Sequence, residues 1–264
     1  MKAALRHLCY VLGENPVTLA AFALFVVLVI VALLGPWIEP YNPLATDAMH
    51  ALLAPSADHW CGTDSVGRDI LSRIISATRL DLTIAFAAVL LSFAVGALAG
   101  LAAGYFGGWT ERAVGRAADT IMAFPLFVLA TAIVNFPLYA RIARAEANVR
   151  REAGFVEAAR LSGNSDWRIL AFQILPNVFP ILVVQMSLTM GYAILNAAGL
   201  SFIGLGVRPP TPEWGIMVAE GAAFMVSGEW WNAFFPGLAL MVAVFCFNLL
   251  GDGLRDMVDP RRRT

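Results

Sequence analysis

The feature that most limits what this chain can become is a series of apolar runs long enough to cross a bilayer. The first, from Val17 to Leu34, has 18 residues and would rise roughly 27 Å as a helix. Further runs extend from about Leu82 to Tyr105, Thr120 to Leu138, Val178 to Leu200 and Ala233 to Leu250. A backbone in lipid must pair its polar groups within its own segment, and these runs are too long for barrel strands, so helices are expected. Composition agrees: 59% of the 264 residues are hydrophobic and 14% are charged, against about 25% charged in a soluble domain. A fold this short cannot hide so much apolar surface from water. The expected class is therefore all-α, a polytopic transmembrane helical bundle with five apparent spans and no repeat period.

Lys2 and Arg6 precede the first run as they would in a signal peptide. The run exceeds the usual 7–15-residue apolar region, however, and Gly35-Pro36-Trp37 follows it instead of a small-x-small cleavage site. The reading is a cytoplasmic segment 1–16, a retained span 17–35 that Pro16 starts and Gly35-Pro36 ends, an extracytoplasmic loop 36–81, and a core domain 82–264. Arg141, Arg144, Arg150, Arg151, Arg160 and Arg168 mark one segment as cytoplasmic, and Arg255, Arg261, Arg262 and Arg263 mark the tail. The connection from Leu205 to Asn232, with Arg208 alone, belongs outside. Two cytoplasmic termini need an even number of crossings, which five runs do not supply. Three solutions stand: Thr120–Leu138, interrupted by Pro125 and Pro137, is a re-entrant hairpin; the Arg-rich segment lies outside; or one span is missing.

Several function classes are excluded. A net charge of −1 provides no basic face for nucleic acid. Cys9, Cys61 and Cys246 have neither metal-ligand nor disulfide spacing. No HExxH, Gly-x-Ser-x-Gly or GxxxxGK[ST] occurs, so no catalytic site, cofactor or bound ATP is expected. His50 and His59, nine residues apart, are expected to be solvated rather than metal-bound. Trp60, Trp214, Trp230 and Trp231 are expected to anchor the outer interface. Gly96, Gly100 and Gly104 make a smooth helix face suited to static close packing. Gln185, Asn196 and Asn248, at membrane depth, either line an aqueous path or bond between helices.

The segment Glu157-Ala158-Ala159, then Gly163, then Leu175-Pro176, has a physical reading of its own. The alanines allow a second protein to approach the backbone, Gly163 lets the chain turn, Pro176 opens the next span, and Glu157 can receive an arginine or a helix N-terminus.

Together with other motifs in order, this segment resembles the permease subunits of dipeptide, oligopeptide and nickel ABC importers, across nearly the whole chain. Gly62-Thr63-Asp64, Gly67-Arg68-Asp69 and Ser72-Arg73 are similar to that family's signature before the second span. Asp119 with Met122-Ala123-Phe124-Pro125 resembles its third-span opening. Gly204, Gly206, Pro209, Pro210, Trp214 and Gly215 resemble its loop after the fifth span, and Asp252, Asp256, Asp259 and Pro260 its C-terminal signature. The stretch at about 150–176 resembles its cytoplasmic EAA loop, with Gln173 where the family has isoleucine. The resemblance implies a multi-pass inner-membrane permease, the lipid bilayer around it and a second permease beside it. It also implies two cytoplasmic ATPases that bind the ATP, and a periplasmic solute-binding protein. Similar permeases handle peptides, opines, glutathione and nickel chelates. The family usually has six spans. Here Leu129-Ala130 runs into Thr131 as though the third span were fused to the end of the fourth, which favours the missing-span solution. The alternative function is then a truncated, transport-incompetent copy.

Overall fold

The computed structural model describes residues 16–123 and 131–258. They form ten α-helices: α1 Pro16–Ile38, α2 Ile70–Phe106, α3 Gly108–Ala123, α4 Thr131–Val134, α5 Phe136–Arg150, α6 Gly154–Leu161, α7 Asp166–Ile169, α8 Leu175–Phe202, α9 Trp214–Ala222 and α10 Trp231–Val258. Among the described residues there is no strand, only an isolated bridge between Thr63 and Asp69.

Among the described residues, four helical stretches are long and apolar enough to cross a membrane: Pro16–Ile38, Ile70–Phe106, Asp166–Phe202 and Trp231–Arg255. The fifth apolar run includes residues 124–130, outside the described residues. Its described flanks belong to α3, α4 and the start of α5. Pro36 does not end α1 at residue 35: the helix continues to Ile38, because a proline in the last turn removes one backbone bond and the Glu39 N–H still reaches Gly35 O. At 37 residues α2 is roughly 55 Å long, longer than the about 30 Å of hydrocarbon it would cross.

The chain divides into two compact units, residues 1–86 with 190–250, and residues 87–189 with 251–264. In the first, α1 meets α10 through Phe25 and Phe247, whose ring centroids lie 5.8 Å apart, and through the Cys246 thiol, which donates to Ala21 O.

In the second unit, the glycine face of α2 receives α5 at backbone contact. A methyl placed on Gly100 would lie 2.3 Å from Ala140 O, and one on Gly104 would lie 2.4 Å from Arg144 O. Gly96 meets Phe136 and Tyr139, Gly100 meets Ala140 and Ala143, and Gly104 meets Arg144 and Ala147, so the two helices run parallel. Ion pairs Arg141–Asp119 at 2.6 Å and Arg144–Glu111 at 3.4 Å set α3 antiparallel to α5. The chain therefore reverses between α3 and α5, and α5 ends beside the end of α2 from which α3 departs. The first part of the Arg-rich segment is helical, and Ala140, Ala143 and Ala147 give α5 a small-residue face that matches the glycines.

Candidate functional site: the hinged segment and the outer loop

Helix α6 begins without a side-chain cap, at Ala153, and carries Glu157 in its first turn. One face is inward: Val156 and Ala159 join a core with Leu101, Tyr105, Ala147 and Ile169. Glu157, Ala158 and Leu161 face out, Leu161 being 85% exposed. The 3.6-residue period turns Ala159 into the core and leaves Ala158 as the open one of the two alanines expected to let a partner approach the backbone.

Gly163 ends the helix at φ +79°. Its N–H reaches Arg160 O and the Asn164 N–H reaches Ala159 O, the paired bonds of a glycine-terminated helix end. A methyl on Gly163 would meet nothing within 4 Å, so backbone conformation, not space, demands glycine.

Helix α7 follows, then a π-helical turn, Leu170–Ile174, in which the Leu175 N–H bonds Leu170 O. Pro176, second in α8, has no N–H to donate, and the wider turn precedes it directly. Pro176 does not open the span alone; α7, the π-turn and α8 make one run from Asp166 to Phe202. Beside the hinge lies an open groove of about 250 Å³, lined by Asn164, Arg168, Ile169, Phe172 and Gln173. Phe172 is 74% exposed there and Trp167, on α7, is 67% exposed. Leu175 is half-buried.

Three residues to which the sequence reading gives no part in this segment's contacts join it to α2. The Tyr105 hydroxyl donates to Asp166 Oδ1 at 2.6 Å, and Arg160 Nε donates to the same hydroxyl at 3.4 Å. The Arg160 guanidinium also lies 5.3 Å from the Tyr105 ring centroid.

The glycine-rich signature of the outer loop builds structure rather than chemistry. Asp64 Oδ1 accepts from the N–H groups of Val66 and Arg68, and its Oδ2 accepts from Arg68 Nε at 2.6 Å. Gly67, at φ +79°, lets Asp47 O approach where any side chain would collide. Thr63 donates to His50 O and accepts the Leu53 N–H. Asp69 accepts from Ser72 N and Oγ at the start of α2, and its other oxygen holds His59 Nδ1 at 2.9 Å. His59 is thus paired and largely buried, not solvated; His50 is exposed and bonds Asp47 at 2.7 Å. These bonds to His50 and to the Met49 N–H hold the Asp47 carboxyl below its ordinary range. Among the described residues no group of three or more His, Cys, Asp or Glu side chains is arranged to hold a metal. Arg73 is buried between Asp64 at 3.5 Å and Glu220 at 3.4 Å.

After α8, Gly204 turns at φ +80°, Gly206 packs on Ser201, and the Pro209–Pro210 bond is cis. Glu213 caps α9 by accepting from Gly215 N and Ile216 N, both at 2.8 Å, while Asp81 accepts from Trp214 N. Trp214 is 1% exposed and donates to Ile74 O, and Trp231 is buried and donates to Thr63 O. Neither is the interfacial anchor expected; Trp60 and Trp230 are exposed enough to serve. Gln185 and Asn196 are half-buried, Gln185 donating to Thr189 on its own helix. Asn248 packs on Gly191 of α8. Asp252 is exposed; Asp256 lies in α10, and Asp259 and Pro260 fall outside the described residues.

Comparison with known proteins gives a consistent set of likenesses. Residues 126–264 match the binding-protein-dependent transport system inner membrane component, and residues 10–55 match the N-terminal transmembrane domain of oligopeptide transport permease C. The chain is 37% identical to the probable D,D-dipeptide transport system permease protein of Escherichia coli, over 96% of this chain and 91% of that one. It is 40% identical to the glutathione transport system permease protein of Pectobacterium atrosepticum, over 92% and 87%. It is 38% identical to the nickel transport system permease protein of Escherichia coli, over 91% and 92%.

Proposed function

The chain belongs to the family of binding-protein-dependent transport system inner membrane components, and from that premise we propose that it forms half of the solute pathway of an ATP-driven importer of peptides or similar small solutes. A second permease completes the pathway. Two cytoplasmic ATPases dock on the segment from α6 to α7 and bind the ATP; this chain binds none. A periplasmic solute-binding protein delivers solute to the outer loop. ATP shifts the spans between outward and inward openings through the ATPases' different affinity for the two states.

The observation that carries this reading is the hinged segment. A short helix is rooted in the core by Val156 and Ala159 and bare on its other face, with Leu161, Trp167 and Phe172 uncovered. Apolar side chains grouped beside a groove are what a protein partner buries. Parallel packing of α5 on α2 supports a cytoplasmic position, because it returns the chain to the inner end of α2 whichever path residues 124–130 take.

The test is co-purification of the ATPase with the assembled permease. Glu157→Arg reverses the exposed charge and Gly163→Trp strains the hinge; each is expected to abolish association. Association undiminished by both overturns docking at this segment.

One observation favours the second reading, a transport-incompetent copy. The alignment with the D,D-dipeptide permease has 271 positions and takes in 96% of this chain's 264 residues, about 253, so about 18 aligned positions of that relative have no counterpart here. ATPase binding without solute uptake would support it; uptake would exclude it.

A further inference from the structure

We propose that Tyr105 is the positioning residue through which movement of the docking segment reaches α2, an inference that rests on the importer reading above. The hinge at Gly163 is bracketed by Arg160 three residues before it and Asp166 three residues after it, and both reach one oxygen. The Tyr105 hydroxyl spends its single proton on Asp166 Oδ1 and accepts from Arg160 Nε. Any change of angle at Gly163 must lengthen one of these two bonds or carry the hydroxyl along. The bond to Asp166 is short and charge-assisted, the stronger kind, so the hydroxyl follows that side of the hinge.

The neighbouring contacts tie the same turn of α2. The Phe106 and Trp167 ring centroids lie 5.2 Å apart edge to face, and Arg151 Nη1 donates to Gly104 O at 3.4 Å. α6 and α2 also share an apolar core, to which Val156, Ala159 and Leu101 belong. Contacts of that kind have no direction and permit sliding; the hydroxyl does not. No proline interrupts α2 between Leu98 and Tyr105, so a displacement at Tyr105 is passed along that stretch of continuous helix.

The test follows α2 in the assembled, membrane-embedded complex. The native cysteines are replaced by serine and Leu98, an exposed position of α2, becomes cysteine; its alkylation rate is measured without nucleotide and with a non-hydrolysable ATP analogue. In this parent protein the analogue is expected to change the rate. In Tyr105→Phe, which keeps the ring, ATPase co-purification and thermal midpoint are expected to stay as in the parent while the nucleotide-dependent change shrinks about fivefold or more. Asp166→Asn, which retains an acceptor oxygen, is expected to preserve most of the change, and Asp166→Ala to lose it. A hydroxyl with a merely packing role would lower the thermal midpoint and leave that ratio alone. An equal change in the parent and Tyr105→Phe, or no change in a parent that binds the ATPase, overturns the relay. Loss of ATPase binding in the parent itself overturns the importer reading instead.

Discussion

Cys61 lies in the outer loop, half-buried, and burial first and the Asp69 charge second push its thiol up to about 11. An ordinary cysteine titrates near 8.5, so at neutral pH Cys61 holds at least about a hundredfold less thiolate. Maleimide labelling is expected to be slower by about that factor than at a Ser56→Cys control on the exposed part of the loop, and to keep accelerating above pH 9, where the control levels off. Equal profiles would mean that the loop opens around Cys61. Nothing in the sequence marks this thiol as inert, because the cause is a carboxylate eight residues away and the fold that brings it near. Trp214 teaches the same at larger size. A tryptophan flanking an apolar run reads equally well as an anchor or as core, and the choice depends on whether its indole N–H finds Ile74 O, 140 residues distant.

Among elements, α2 and α5 meet at backbone contact. The four-residue glycine spacing was visible beforehand and correctly implied close packing. Its partner was not visible, since α5 carries Arg141, Arg144 and Arg150 and looks like a solvated loop when only hydropathy is read. Gly100→Leu would thrust its side chain into the Ala140 carbonyl, where the backbone has no rotamer to yield. Overpacking of this kind costs about 1–3 kcal/mol or more, and the thermal midpoint of the purified protein is expected to fall accordingly. Gly163→Ala, which meets no neighbour, pays only for its positive φ, roughly 1–2 kcal/mol, and is expected to fall less. The reverse order would argue against the parallel arrangement. The outer elements are organised by Glu213 and Asp81, to which the motifs assign no role of their own; a carboxylate directly before Trp-Gly-Ile was the one available sign of a helix cap.

At the scale of the molecule, four helical stretches among the described residues are long and apolar enough to span a bilayer, and α3 runs antiparallel to α5. Ser162 is exposed beside the hinge, and Ser162→Cys is expected to react with a membrane-impermeant thiol reagent in inverted vesicles and not in intact cells. Labelling from outside would place the docking segment on the wrong face of the membrane.

By itself the sequence determined the helical membrane class, long apolar spans and the glycine turn at Gly163. Each of these rests on quantities that sum residue by residue or act within one turn: transfer from water, glycine's access to positive φ. Only the tertiary structure decided that α5 would nest on the α2 glycines, that Trp214 would be core, and that Tyr105 would meet Asp166 across 61 residues of chain. Those outcomes depend on the crossing and registry of whole helices, which set whether two polar atoms arrive within 3 Å or miss, and no local pattern of residues encodes that distance.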